Sequence, residues 1–91
     1  MKFRKKPIVV EAIQFTGDNH EDIAAFTRGG FEAVDPLERE RDTEIVAEVY
    51  AVLNETWVGV KVGQWIIKGV KGEFYPHDAD LFPQAYESVE S

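Results

Sequence analysis

His77, Asp78 and Asp80 put an imidazole and two carboxylates within four positions, donor types that hold divalent cations or relay protons. His20, Glu21 and Asp22 make a second such group. Neither group has the spacing of a known metal motif, and in an extended strand His77 and Asp80 would point to opposite faces. Helix punctuation accounts for both: Asp78 or Asp80 can cap a helical turn, and carboxylates are favoured in the first turn of a helix that includes Glu21 and Asp22. No metal or cofactor is therefore expected.

Other catalytic chemistry has as little to work with. The chain has no cysteine, so thiolate nucleophiles, thiolate zinc sites and disulfides are excluded. Ser88, Ser91 and four threonines are the hydroxyl nucleophiles, and none sits in a G-x-S-x-G elbow. Gly69 and Gly72 fall outside the phosphate-loop pattern GxxxxGK[ST]; glycines between apolar strand residues mark bulges or turns. With seventeen acids, the presence of paired carboxylates is uninformative. No catalytic residue is assigned, and the chain is read as non-enzymatic.

The aromatic residues carry more information. Trp57, Trp65, Phe74, Tyr75, Phe82 and Tyr86 all lie in the carboxy-terminal 40 residues. Along WIIK, Trp65 and Ile67 share one face, and Ile66 and Lys68 share the other. If Ile66 is core, Trp65 needs cover from the helix, a second protomer or a partner. Trp57, Trp65, Tyr75, His77 and Asp78 are thus candidate partner-binding residues; the competing reading is a two-sided core. Lys2, Arg4, Lys5 and Lys6 form a basic arm that could touch a phosphate or an acidic partner, or simply be a solvated strand start. Without these four the chain has six basic and seventeen acidic residues, a net charge of −11 that repels nucleic acid.

The elements that position these residues follow from periodicity. Residues 7–16 (PIVVEAIQFT) read as a strand. GDNHEDIAAFTRGG reads as a short helix, with Asp18 capping, Glu21 in the capping-box position, and Gly29 and Gly30 as the stop. Phe31 to Val34 is a short strand, and 37–43, charged and aperiodic, is an exposed loop. Residues 44–53 alternate as a strand with Ile45, Ala47, Val49, Ala51 and Leu53 on one face. Asn54 and Glu55 make a hairpin turn into TWVGVKV, Gly63 and Gln64 the next turn, and WIIK another strand. Gly69 breaks or bulges it, VKGEFY continues beyond, and Pro76 ends it. A helical turn from Asp78 or Asp80 precedes Pro83, and 87–91 frays. The order predicts an α+β fold: a twisted, mainly antiparallel sheet of four to six strands with one short helix packed on it.

At 91 residues the chain is expected to form a single domain, 1–91, that hides roughly 60 to 65% of its unfolded surface. No apolar run approaches the roughly 18 residues of a membrane span. MKFRKKPIVVEAIQF begins positively like a signal peptide, but Glu11 and Gln14 interrupt it and no cleavage site follows. A cytoplasmic protein is expected.

KFRKKPIVVEAIQFTGDN at the front and VGQWIIKGVKGEFYPHDADLF with AYE at the back resemble a family of small, mostly uncharacterised bacteriophage and prophage proteins. Its members typically begin FRKKPVVVEAIQWTGDN and end PGDWIIKGVKGEFYPCKPDIF with TYE. The resemblance covers about half the chain, and the middle is similar to versions from phages of actinobacteria. Val62 and Gln64 replace the proline and aspartate of the PGD turn, and His77 stands where many relatives have cysteine, which argues against thiol chemistry. The resemblance implies a phage accessory protein in the bacterial host cytoplasm and no particular reaction. The first expectation is a module that binds and modulates a host protein and pairs with itself as a homodimer. The alternative is a protein that sequesters a small molecule or nucleotide of host defence, with the basic arm on phosphates and Trp57 or Tyr75 stacked on a base.

Overall fold

Short β-branched and aromatic runs between glycine-bearing turns favour strands over helices, and the computed structural model of this chain has that character. It describes residues 1–2, 9–35 and 44–86. The expected loop at 37–43, the frayed end at 87–91, and Arg4, Lys5 and Lys6 lie outside the described residues. In order come β1 (Glu11–Gln14), α1 (His20–Phe26), β2 (Phe31–Ala33), β3 (Ile45–Ala51), β4 (Thr56–Lys61), β5 (Trp65–Lys68), β6 (Phe74–His77) and α2 (Phe82–Ala85). The α+β class with antiparallel pairing is as read from the sequence.

The described strands lie in two three-stranded sheets, β1-β5-β6 and β2-β3-β4. The turn after β4 does not fold β5 back onto β4, because its backbone groups are bonded to the end of β1. The Gly63 N–H donates to the Phe15 carbonyl (2.7 Å), and the Phe15 N–H donates to the Gln64 carbonyl (2.9 Å). Gly63, at φ 97°, takes the left-handed conformation this crossing requires. Val62, expected in the strand, is instead an exposed turn residue.

The core lies between the sheets. Phe15, Ile23, Phe31, Ala47, Val49, Val60 and Ile66 form one buried cluster, with Phe15 and Phe31 edge to face at 5.2 Å. α1 contributes Ile23 and the buried Thr27, whose hydroxyl donates to the Ile23 carbonyl (2.9 Å). Its start corrects the expected capping box: Asn19 is the N-cap, and it makes no side-chain cap bond to the helix. The Asn19 side chain instead ties the turn to β1, with Oδ1 accepting from the Thr16 N–H (2.9 Å) and Nδ2 donating to the Gln14 carbonyl (2.7 Å). At the other end Gly29, at φ 87°, donates to the Ala24 carbonyl (2.8 Å), the glycine stop that was expected.

Several strand boundaries differ from the sequence reading. β1 covers Glu11–Gln14, so Val9, Val10, Phe15 and Thr16 lie outside it, and residues 7 and 8 are not described. β3 ends at Ala51, and a four-residue loop, 52–55, replaces the two-residue Asn54-Glu55 turn. The register also shifts between Ile45 and Ala47. That bulge turns Ile45 out of the Ala47 and Val49 face and onto the outer face, where it packs over Gly59.

WIIKGVKGEFYPH is a β-hairpin. Trp65 pairs with His77, Ile66 with Pro76, Ile67 with Tyr75 and Lys68 with Phe74. Gly69 does not bulge a continuing strand: its N–H donates to the Glu73 carbonyl (2.7 Å) and closes the loop, with Gly72 at φ 84°. Pro76 does not end β6 but lies inside it, which an edge strand permits because the missing N–H faces away from the ladder. Pro83 likewise does not stop the last helical turn; it opens α2, where its fixed φ suits the first turn.

Candidate functional site

The aromatic residues singled out in the sequence fall into two separate assemblies. Antiparallel partners share a face, so Ala12, Gln14, Trp65, Ile67, Tyr75 and His77 lie on the side of the first sheet away from the core. α2 folds back over this side. Phe82 stacks on Trp65 with centroids 4.3 Å apart and planes 8° apart, and Tyr86 stacks on Phe82 at 5.2 Å. His77 meets Phe82 and Tyr86 edge to face at 5.9 and 6.0 Å. Ile67 is fully buried although it faces away from the main core.

The cover that Trp65 requires is thus the chain's own carboxy-terminal segment. Of the five candidate partner-binding residues, Trp65, Tyr75 and His77 are brought together here. Asp78 begins the return: its carbonyl accepts from Leu81 (3.2 Å) and Phe82 (3.0 Å), and its Oδ1 accepts from Gln64 Nε2 (2.8 Å). The helical turn is capped at Leu81 without a side-chain bond, so neither Asp78 nor Asp80 caps it as expected. Burial pushes the Tyr75 hydroxyl up to about 12, aided by a hydrogen bond with Tyr86 and by the negative charges of Tyr86 and Glu73. Among the described residues no three His, Cys, Asp or Glu side chains gather as metal ligands.

Trp57 is elsewhere, on the outer face of the second sheet. The four-residue loop sets its register against Tyr50, and the two rings lie 5.4 Å apart, tilted at 60°. A two-residue turn at 54–55 would have paired Trp57 with Val52 instead, so the sequence reading did not join it to Tyr50. Trp57 keeps 40% of its surface exposed. It borders a concavity of about 460 Å³ with Thr27, Gly29, Tyr50, Val52 and Phe74. The wall is mainly apolar, and Arg28 is the one charged lining residue among the described residues. Arg28 stands at φ 57°, just beyond α1, so the helix stop that Gly29 and Gly30 announce in the sequence also places this guanidinium. The edge-to-face pair Phe26 and Phe74, 5.3 Å apart, joins α1 to the first sheet where Phe74 meets the concavity.

Lys2 is exposed. Comparison with protein-family models, curated proteins and solved structures finds no match to the chain.

Proposed function

We propose that this chain is a phage-encoded accessory protein that binds a host protein in the bacterial cytoplasm, without catalysis, through the concavity beside Trp57. The observation that carries this reading is the wall of exposed Val52 and Trp57 and half-buried Tyr50 in a hollow with Arg28, on a body that is otherwise strongly acidic. Tryptophan, tyrosine and arginine are the side chains enriched at binding hot spots, and an apolar hollow with one cation fits a segment presenting a large apolar side chain beside a carboxylate. The phage setting rests on the resemblance of the front and back motifs.

The test places a photoreactive side chain at Val52, which is 52% exposed, and crosslinks the chain in host lysate. A discrete adduct is expected that disappears with Trp57→Ala and persists with Val9→Ser, another exposed apolar position. An adduct pattern indifferent to Trp57→Ala sinks the reading. A second reading, capture of a small aromatic anion such as a nucleotide, draws on the same hollow, whose size lies within the range of ligand pockets. A thermal-shift screen separates the two. A ligand present at 100 times its dissociation constant adds about 2.7 kcal/mol, a rise of order 10 °C or more for a domain of this length.

A further inference from the structure

The hydrogen-bond phase of the second sheet leaves the outer edge of β4 open among the described residues. The Tyr50 N–H donates to the Gly30 carbonyl (2.8 Å), so the even-numbered residues of β3 turn their backbone groups toward β2. Ala47, Val49 and Ala51 therefore face β4, and their partners Val60, Val58 and Thr56 face back. It follows that Trp57, Gly59 and Lys61 direct their N–H and C=O groups outward. Lys61 agrees with this phase, because its N–H donates to Gln64 Oε1 (2.8 Å) and its carbonyl accepts from the Gln64 N–H (3.2 Å). For Trp57 and Gly59 no such outward partner is found among the described residues.

Edge strands are ordinarily protected by charge, proline or a covering segment. Here Thr56, Trp57, Val58 and Gly59 run uncharged and without proline. Charge is confined to the flanks, Glu55 before the run and Lys61 after it. A parallel neighbour of the same sequence would set like charges against like. An antiparallel copy brings the Glu55 end of one chain to the Lys61 end of the other, where the Lys61 ammonium is paired with Glu44 (3.2 Å) and is 42% exposed.

We propose that β4 pairs antiparallel with β4 of a second copy of this chain about a two-fold axis at Val58, joining the two β2-β3-β4 sheets into one six-stranded sheet. In this register Trp57 faces Gly59 of the partner subunit, and each such pair exchanges two backbone hydrogen bonds, four across the axis. The indole then lies on the outer face beside the Ile45 side chain that packs over Gly59 of the partner subunit. The two Val58 residues form a non-hydrogen-bonded pair with Cα atoms about 4.5 Å apart. This contact shares Trp57 with the host-binding hollow, but it is argued from the backbone edge and does not rest on the host-binding reading.

Sedimentation of the full chain over a concentration series is expected to show reversible monomer and dimer. Val58→Cys, introduced into a chain without cysteine, should convert to a covalent dimer on mild oxidation, because a non-hydrogen-bonded antiparallel pair has suitable disulfide separation. Val9→Cys should not do so at the same protein concentration. Trp57→Pro, which removes an outward N–H, should raise the dimer dissociation constant about tenfold. Thr56→Lys, which adds charge to the edge without touching those donors, should weaken it too and serves if the proline variant unfolds. A chain that stays monomeric to about 1 mM, equal crosslinking of the Val58 and Val9 cysteines, or a wild-type dimer that Val58→Cys does not trap each overturns the proposal.

Discussion

The opposition of Ile45 and Gly59 shows most directly how much rests on one side chain. A Cβ at position 59 would meet Ile45 Cδ1 at 2.8 Å and Cγ2 at 2.9 Å. Gly59→Ala is therefore expected to destabilise the chain by about 1–3 kcal/mol, the usual cost of an overpacked contact, read as a lower urea midpoint. Tyr75 supplies a pH test. Its folded pKa, about 12, lies above the ordinary 10.0, so its neutral form is favoured in the folded state. The stability it contributes is complete below pH 10 and is lost as pH rises through 12. Absorbance titration should show Tyr75 ionising late, and Tyr86→Phe should lower its pKa by removing both a hydrogen bond and a neighbouring charge.

At the scale of elements, α2 acts as an aromatic strap. Four residues of helix have no stability of their own, so α2 is held by the stacking of Phe82 on Trp65 and of Tyr86 on Phe82. Phe82→Ala should uncover Trp65 and shift its fluorescence to the red. The expected loss of about 1–2 kcal/mol is below the roughly 3–5 of a fully buried phenylalanine, because Phe82 is half-buried. The β2-β3 pair contains an opposing feature: Glu32 and Glu48 are direct cross-strand partners, and like charges so placed repel. Glu32→Lys should raise the urea midpoint, by roughly 0.2–1 kcal/mol.

At the scale of the whole molecule, the two sheets close on one cluster, to which Phe15 and Ile66 come from the first sheet's side and Phe31, Val49 and Val60 from the second. The single-tryptophan variants Trp57→Phe and Trp65→Phe, whose remaining indoles report on the first and second sheet respectively, should unfold with the same urea midpoint as circular dichroism. Separate midpoints would mean that the sheets unfold independently.

What could be read from the residues in order was whatever depends on neighbours in the chain. Period-two alternation in EAIQ, IVAEVYA and WIIK marks strands, and the glycine after AAFTR marks the helix stop, because side-chain direction and left-handed φ are local properties. The opposite faces of Trp65 and Ile66, and the need to cover Trp65, followed from the same alternation. What covers it did not, because the stacking of Phe82 on Trp65 links positions far apart in the chain and depends on a return turn made by backbone bonds. The loop length at 52–55, the bulge before Ala47 and the division into two sheets were equally out of reach: each is a choice of hydrogen-bond register or partner that only the assembled ladders make. Those choices put Trp57 beside Tyr50 and Arg28, carried Trp65 and His77 under the strap, and turned the backbone of Trp57 and Gly59 toward an open edge.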